Sequence, residues 1–419
     1  METKTELDYR NFNADAELAK IKQKVKKPNL FLCGATGVGK SSLVADLFNY
    51  SMKDAPKSGE GIPVTHGVHR YESGELGIVL HDSEGYEIGS ERQQHYYNDV
   101  IGYIDECNRS NDLNAMDSRI HEVWYCVSAA AKRFTDTDEG IVRYLLEKKL
   151  PVCIIITKID EASEDELNDL KSVISNKLPE LSIFTYSSHP ISPETCGSME
   201  QYNMRMSCYD AIKEAGYIQK DELIHWANQN LDASLRTGLL SSVKGSLSEK
   251  HDHVRKVIVP MYAAGAVAAV VGNAFVPVPF TDSVFLMGLQ TSMAIHILHV
   301  YNFESIGEAV SSVIGSTVIS TIGKTIAGSI IKVIPGIGAA ASIAVNSTVA
   351  ATLTGGIGYA IEELSYKYMV SCVDNNGKAK IPFGEYFTPE NFKAAFEAVN
   401  NKYGDKFKDM AEQILRKEK

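Results

Sequence analysis

Leu30-Phe31-Leu32-Cys33-Gly34-Ala35-Thr36-Gly37-Val38-Gly39-Lys40-Ser41-Ser42 decides the reading of this chain. A short apolar run leads into Gly-Ala-Thr-Gly-Val-Gly-Lys-Ser, which fits the phosphate-binding pattern G-x-x-x-x-G-K-[ST]. Gly34, Gly37 and Gly39 allow a tight turn whose N–H groups point inward at phosphate oxygens. A helix starting near Lys40 adds its positive N-terminal end. Lys40 can reach the β- and γ-phosphates, and Ser41 can place its hydroxyl on Mg²⁺. Gly34, Ala35, Thr36, Gly37, Val38, Gly39, Lys40, Ser41 and Ser42 are therefore expected to cradle a nucleoside triphosphate.

Working outward, residues 5 to 27 read as a helix closed by Pro28, with acidic residues early and Lys20 to Lys27 late. That order suits the helix dipole. After the loop, Leu43, Leu47 and Phe48 give a helix from about 41 to 50 its core face. A polar, Gly-containing stretch, 53 to 61, leads to Thr65. Lying between the other motifs, Thr65 is expected to sense the γ-phosphate through Mg²⁺. Residues 77 to 82 read as an apolar strand ending in Asp82, and Asp82-Ser83-Glu84-Gly85 fits D-x-x-G. An Asp at the carboxyl end of a buried strand can hold Mg²⁺ through water. Gly85, without a side chain, can swing its N–H toward a γ-phosphate.

Further on, 121 to 128 reads as a strand and 139 to 149 as a helix. Pro151 to Thr157 is a continuous apolar run, as in a parallel strand covered on both faces. It ends in Thr157-Lys158-Ile159-Asp160, the pattern [NT]-K-x-D. A carboxylate there accepts from the guanine N1–H and exocyclic amine, and the Lys stem lies over the ring. Adenine offers the opposite pattern, so Asp160 specifies guanine. Ile183 to Ser188 reads as a last strand, which puts Ser187 and Ser188 where a backbone N–H meets guanine O6. The expected catalytic set is Lys40, Thr65 and Gly85. The expected metal ligands are Ser41, Thr65 and Asp82.

These four motifs, in this order, make residues 28–217 resemble a G domain of the translation-factor-related GTPases, closest to the Era-like group. The resemblance implies an α/β fold, a doubly wound and mostly parallel sheet with ligand at the strands' carboxyl ends. It also implies GTP/GDP with Mg²⁺ as cofactors, and slow hydrolysis. Two departures bear on the chemistry. Tyr86 follows Gly85 where Ras-like members carry the water-positioning Gln, and Gly37 stands where potassium-stimulated members have Asn.

From Gln219 the composition changes. Residues 257–281 lack any charge, and 308–361 are small and apolar. Two readings stand: tightly packed soluble helices, or helices inserted in or docked on a membrane. Pro277 to Asp282, Leu289-Gln290, Met293, Ile297 and Ile334-Pro335-Gly336 resemble an uncharacterised hydrophobic helical domain that follows Era-like G domains. A more distant likeness, by architecture, is to immunity-related and dynamin-type GTPases. The domains expected are a helix to 27, a G domain over 28–217, a mainly α-helical hydrophobic domain over 218–372 and a helical tail over 373–419.

The 419 residues carry a net charge of -11, which disfavours nucleic acid as a partner. Seven scattered cysteines fit a reducing compartment, and the polar start does not read as a signal peptide. A cytoplasmic protein is expected, with membrane association as the alternative. Its partners would be a guanine nucleotide, a membrane or protein effector reached through 250–370, and a second copy in a nucleotide-dependent dimer. Three function classes follow: a GTP-hydrolysing switch, a membrane-associated GTPase, and a binding-only pseudo-GTPase motivated by Tyr86.

Overall fold

The computed structural model describes residues 14–48, 67–74, 76–86, 92–109, 119–189, 193–272, 283–303, 343–373 and 383–417. The chain divides into two compact units. One runs from Val25 to Ser246, and the other joins the N-terminal helix α1 (Ala14–Lys24) to the residues from Leu247 onward.

The first unit is built on a six-stranded sheet in the order β2-β3-β1-β4-β5-β6. Its strands are β1 (Asn29–Cys33), β2 (Val68–Glu72), β3 (Val79–Ser83), β4 (Glu122–Ser128), β5 (Val152–Thr157) and β6 (Ser182–Thr185). Only β2 runs antiparallel, against β3; the other neighbours are parallel. Every residue of β1, β4 and β5 is buried. Continuous apolar runs such as Val-Cys-Ile-Ile-Ile arise because helices cover both faces. Those flanking helices include α2 (Lys40–Phe48), α3 (Arg92–Asn108), α4 (Asp136–Glu147) and α5 (Glu164–Lys177). Helices α4 and α5 each open with a capping box, Thr135 with Asp138 and Ser163 with Glu166.

Strand β1 lies where the order reverses, between β3 and β4. Doubly wound sheets open a crevice at that point, beyond the carboxyl ends of the strands. Register brings the motif residues there: Leu32 pairs with Asp82 on one side and Trp124 on the other, and Ser128 pairs with Thr157.

This unit extends past residue 217. The Lys220–Asn230 and Ala233–Ser242 helices close back onto it. Gly77 N donates to Ser242 Oγ at 2.8 Å, and Lys244 N to Leu47 O at 2.8 Å. The approach needs glycine on both sides: a Cβ on Gly238 would lie 2.3 Å from the Gly77 carbonyl.

The second unit is helical. Its long Ile343–Val373 helix packs against the Val259–Gly272, Ser283–Val300 and Pro389–Lys417 helices. Thr388 Oγ accepts the Asn391 N–H at 3.2 Å, which caps the last of these. The helix Ala14–Lys24 belongs here too, with Ser292 Oγ donating to Glu17 Oε1 at 2.5 Å. Pro277 to Asp282 and residues 304–342, with Ile334-Pro335-Gly336, lie outside the described residues. Among the described residues no helix is long and apolar enough to cross a membrane.

Candidate nucleotide site

The loop between β1 and α2 carries three glycines in left-handed backbone, with φ of 130° at Gly34, 73° at Gly37 and 101° at Gly39. At Gly34 there is a second constraint, since a Cβ would stand 2.2 Å from the Cys126 carbonyl oxygen. Side chains therefore cannot replace hydrogen there without moving β4. Thr36, Gly37, Ser41 and Ser42 face solvent, Ala35 and Gly39 are half-buried, and Val38 and Lys40 are buried. Lys40 Nζ donates to the Gly34 carbonyl at 3.0 Å, which folds the ammonium back over its own loop.

Asp82 stands beside this loop at the end of β3. Burial raises its carboxyl pKa, while the Lys40 ammonium pulls it down. Among the described residues its buried Oδ1 has no hydrogen-bond partner. An unsatisfied buried carboxylate oxygen close to a lysine and a helix N-terminus suits water-mediated Mg²⁺ ligation. The donor set present therefore fits the ion. Thr65, the other expected ligand, lies outside the described residues.

Gly85 is pressed onto the loop, and a Cβ there would come 2.3 Å from Thr36 N. Next to it, Thr36 N donates to the Tyr86 carbonyl at 3.0 Å. The Tyr86 side chain turns inward and is 3% exposed. Its hydroxyl donates to Asp138 Oδ1 at 2.6 Å. Burial, then the neighbouring Asp138 charge, pushes the phenol pKa up.

At the other end of the crevice, Thr157 Oγ donates to Val38 O at 2.5 Å and so ties β5 to the loop. Lys158 adopts left-handed backbone, φ 54°, and turns the chain so that Asp160 follows in a short 3-10 turn. The Asp160 side chain is 6% exposed. Ser187 Oγ donates to its Oδ1 at 2.5 Å, and Arg205 Nη2 lies 3.2 Å from Oδ2. Ser188 follows Ser187 and is half-buried.

Lys40, Asp82, Gly85, Thr157, Lys158, Asp160, Ser187 and Ser188 thus sit at the carboxyl ends of β1, β3, β5 and β6. Three contributors were silent in the sequence. Arg205 comes from the Met199–Glu214 helix. Tyr96 of α3 accepts the Gly34 N–H at 2.9 Å through its hydroxyl. Asp138 is the third residue of α4, where it also closes the capping box with Thr135. Aromatic and acidic side chains on helices far along the chain carry no motif that would single them out.

Residues 25–212 match the family model described as Septin. Human Septin-14 is 27% identical over 164 residues, which cover 36% of this chain and 38% of that protein. The probable GTP-binding protein EngB of Latilactobacillus sakei subsp. sakei is 26% identical over 208 residues, 49% of this chain and 86% of that one. The chain spans less than half the length of the septins it matches. A solved structure of Era from Aquifex aeolicus aligns over 57% of this chain and 68% of its own, at 16% identity and a TM-score of 0.29. With the loop, the sheet order and the family match together, residues 25–212 are a nucleotide-binding P-loop GTPase domain.

Proposed function

We propose that this domain binds GTP with Mg²⁺, hydrolyses it slowly to GDP and phosphate, and acts as a switch. One observation carries the reading: Thr157, which opens the guanine motif, is hydrogen-bonded to the phosphate loop itself, at the carboxyl ends of β1 and β5. Lys40 and the loop amides hold the phosphates. Ser41 and Asp82, with Thr65, would hold Mg²⁺, which when bound neutralises charge on the β- and γ-phosphates. Asp160 accepts the guanine N1–H and amine, oriented by Ser187. Gly85 senses the γ-phosphate by its backbone N–H.

The helical unit is the proposed responder, facing a protein or membrane effector. Its small residues allow backbones to slide at close range. A nucleotide-dependent dimer belongs to the same proposal, as does a cytoplasmic or membrane-associated location.

The inward-facing Tyr86 favours a second reading, a domain that binds GTP without turning it over, since no amide from that position reaches a water. The test is Asp160→Asn. In a competition titration its preference should move from guanine to xanthine nucleotides. Retained guanine preference would count against the base-reading role. Phosphate release from the wild type, with and without liposomes, separates a switch from a binding-only domain.

A further inference from the structure

Tyr86 is held at three points. Its hydroxyl donates to Asp138 Oδ1 at 2.6 Å and stands 3.2 Å from Thr135 Oγ. Its ring lies 4.8 Å from that of Tyr96. Its carbonyl accepts the Thr36 N–H. Asp138 is 5% exposed and fully engaged. Tyr125 also donates to Oδ1 at 2.6 Å, while Thr135 N and Oγ both reach Oδ2 at 2.7 Å. Tyr96 closes the circuit, taking the Gly34 N–H and sharing a 3.0 Å hydrogen bond with Ser83 Oγ.

The consequence falls on the phosphate loop. With Tyr86 anchored to α4, the Asp82–Tyr86 turn lies flush on the loop, and the Thr36 N–H is already bonded to it. Gly85 already abuts Thr36, so for a third phosphate to reach the Gly85 N–H the turn would have to lift off the loop and give up the Thr36–Tyr86 bond. A diphosphate has no such demand. We propose that Asp138 is a positioning residue that acts through the Tyr86 hydroxyl, and that this pair sets how strongly the site favours GDP over GTP. The inference rests on the guanine-nucleotide reading above.

Lifting the turn stretches or breaks a hydrogen bond to a carboxylate, an interaction stronger than one between neutral groups. The anchor therefore penalises the triphosphate state selectively, and a ligand shifts a two-state element only by its differential affinity. Tyr86→Phe removes the hydroxyl and keeps the ring contact with Tyr96. Tyr125→Phe removes the other hydroxyl on the same oxygen, leaves the Asp82–Tyr86 turn untouched, and serves as the control.

The experiment titrates a fluorescent GDP and a fluorescent non-hydrolysable GTP analogue into the full chain with Mg²⁺. Wild type is expected to favour GDP. Tyr86→Phe should narrow the ratio by about tenfold, the worth of one such hydrogen bond, through the triphosphate affinity and with GDP affinity unchanged. Asp138→Asn keeps the shape and weakens the acceptor, so it should move the ratio the same way if Tyr86→Phe does not fold. An unchanged ratio in a folded variant overturns the proposal. So does an equal change in Tyr125→Phe, which would mark a general loosening of the core. Failure of the wild type to bind either nucleotide removes the guanine reading itself, and this proposal with it.

Discussion

Gly34 concentrates two constraints on one hydrogen atom. Its φ of 130° is open to glycine alone, and the carbonyl of Cys126 fills the space a methyl would need. Gly34→Ala should therefore cost at least about 2–3 kcal/mol, read as a lower urea midpoint, and nucleotide binding should fall with it. Gly37 is the contrasting case, since among the described residues nothing lies within 4 Å of a Cβ there and the backbone angle is what resists substitution. The pattern G-x-x-x-x-G-K-[ST] shows that small residues are needed but not which neighbour requires each one. Tyr86 makes the same point about chemistry. Its sequence position says that no amide is there; its burial against Asp138 says where the side chain goes instead.

At the scale of elements, the Ile343–Val373 helix is the clearest case of small residues placed for close approach. A Cβ on Gly355 would lie 2.4 Å from the Phe407 ring, and one on Gly356 2.6 Å from Phe396. The same helix brings Glu362, fully buried, against a π-helical turn at Val254–Ile258. Glu362 takes His251 Nδ1 at 2.6 Å, Arg255 Nε, and the Tyr301 hydroxyl at 2.9 Å. Arg255 also reaches Glu363 at 2.5 Å and stacks over Tyr359 and Tyr403. Such a network holds only while every partner is present, because a buried charge left alone is costly. Glu362→Ala should lose about 3–5 kcal/mol of stability. Glu362→Gln should lose less in the same urea titration, because it keeps an acceptor for the Tyr301 hydroxyl. Composition shows a small, apolar stretch here. It does not show that a carboxylate from one helix meets a guanidinium from another, because that pairing depends on how the helices cross.

For the whole molecule, the division falls after Ser246, not near residue 217 where the composition shifts. The helices between those points carry apolar residues either unit could have buried; Gly77 and Gly238 decide the matter by letting them close onto the sheet. Stability should also depend on pH through Lys250 in the helical unit. The residue is 1% exposed and bonded to Asn302, and burial pushes its ammonium from 10.5 down to about 7. Between those values the unfolded chain binds the proton that the folded chain has released. Stability therefore rises with pH across that window, and below about 7 the folded state carries the full cost of a buried charge. The urea midpoint should climb between pH 7 and 10, and Lys250→Met should flatten that slope. A slope unchanged in the variant would assign the effect to other groups.

The candidate nucleotide site was legible as motifs because the chemistry they propose is local in sequence. A phosphate cradle needs consecutive backbone amides, and a guanine reader needs its carboxylate a fixed step beyond a strand, so the residues at 34–42, 82–85 and 157–160 announce themselves. The alternation of buried strands and helices likewise specified an α/β sheet, since apolar runs of that length are stable only under two covered faces. Tertiary structure alone decided what holds those motifs in place. Tyr96 under Gly34, Asp138 behind Tyr86, Arg205 on Asp160 and Glu362 among the helices are contacts between residues far apart in the chain. Nothing in a single sequence ranks such pairs, because their worth comes from burial and geometry that exist only after the chain has folded.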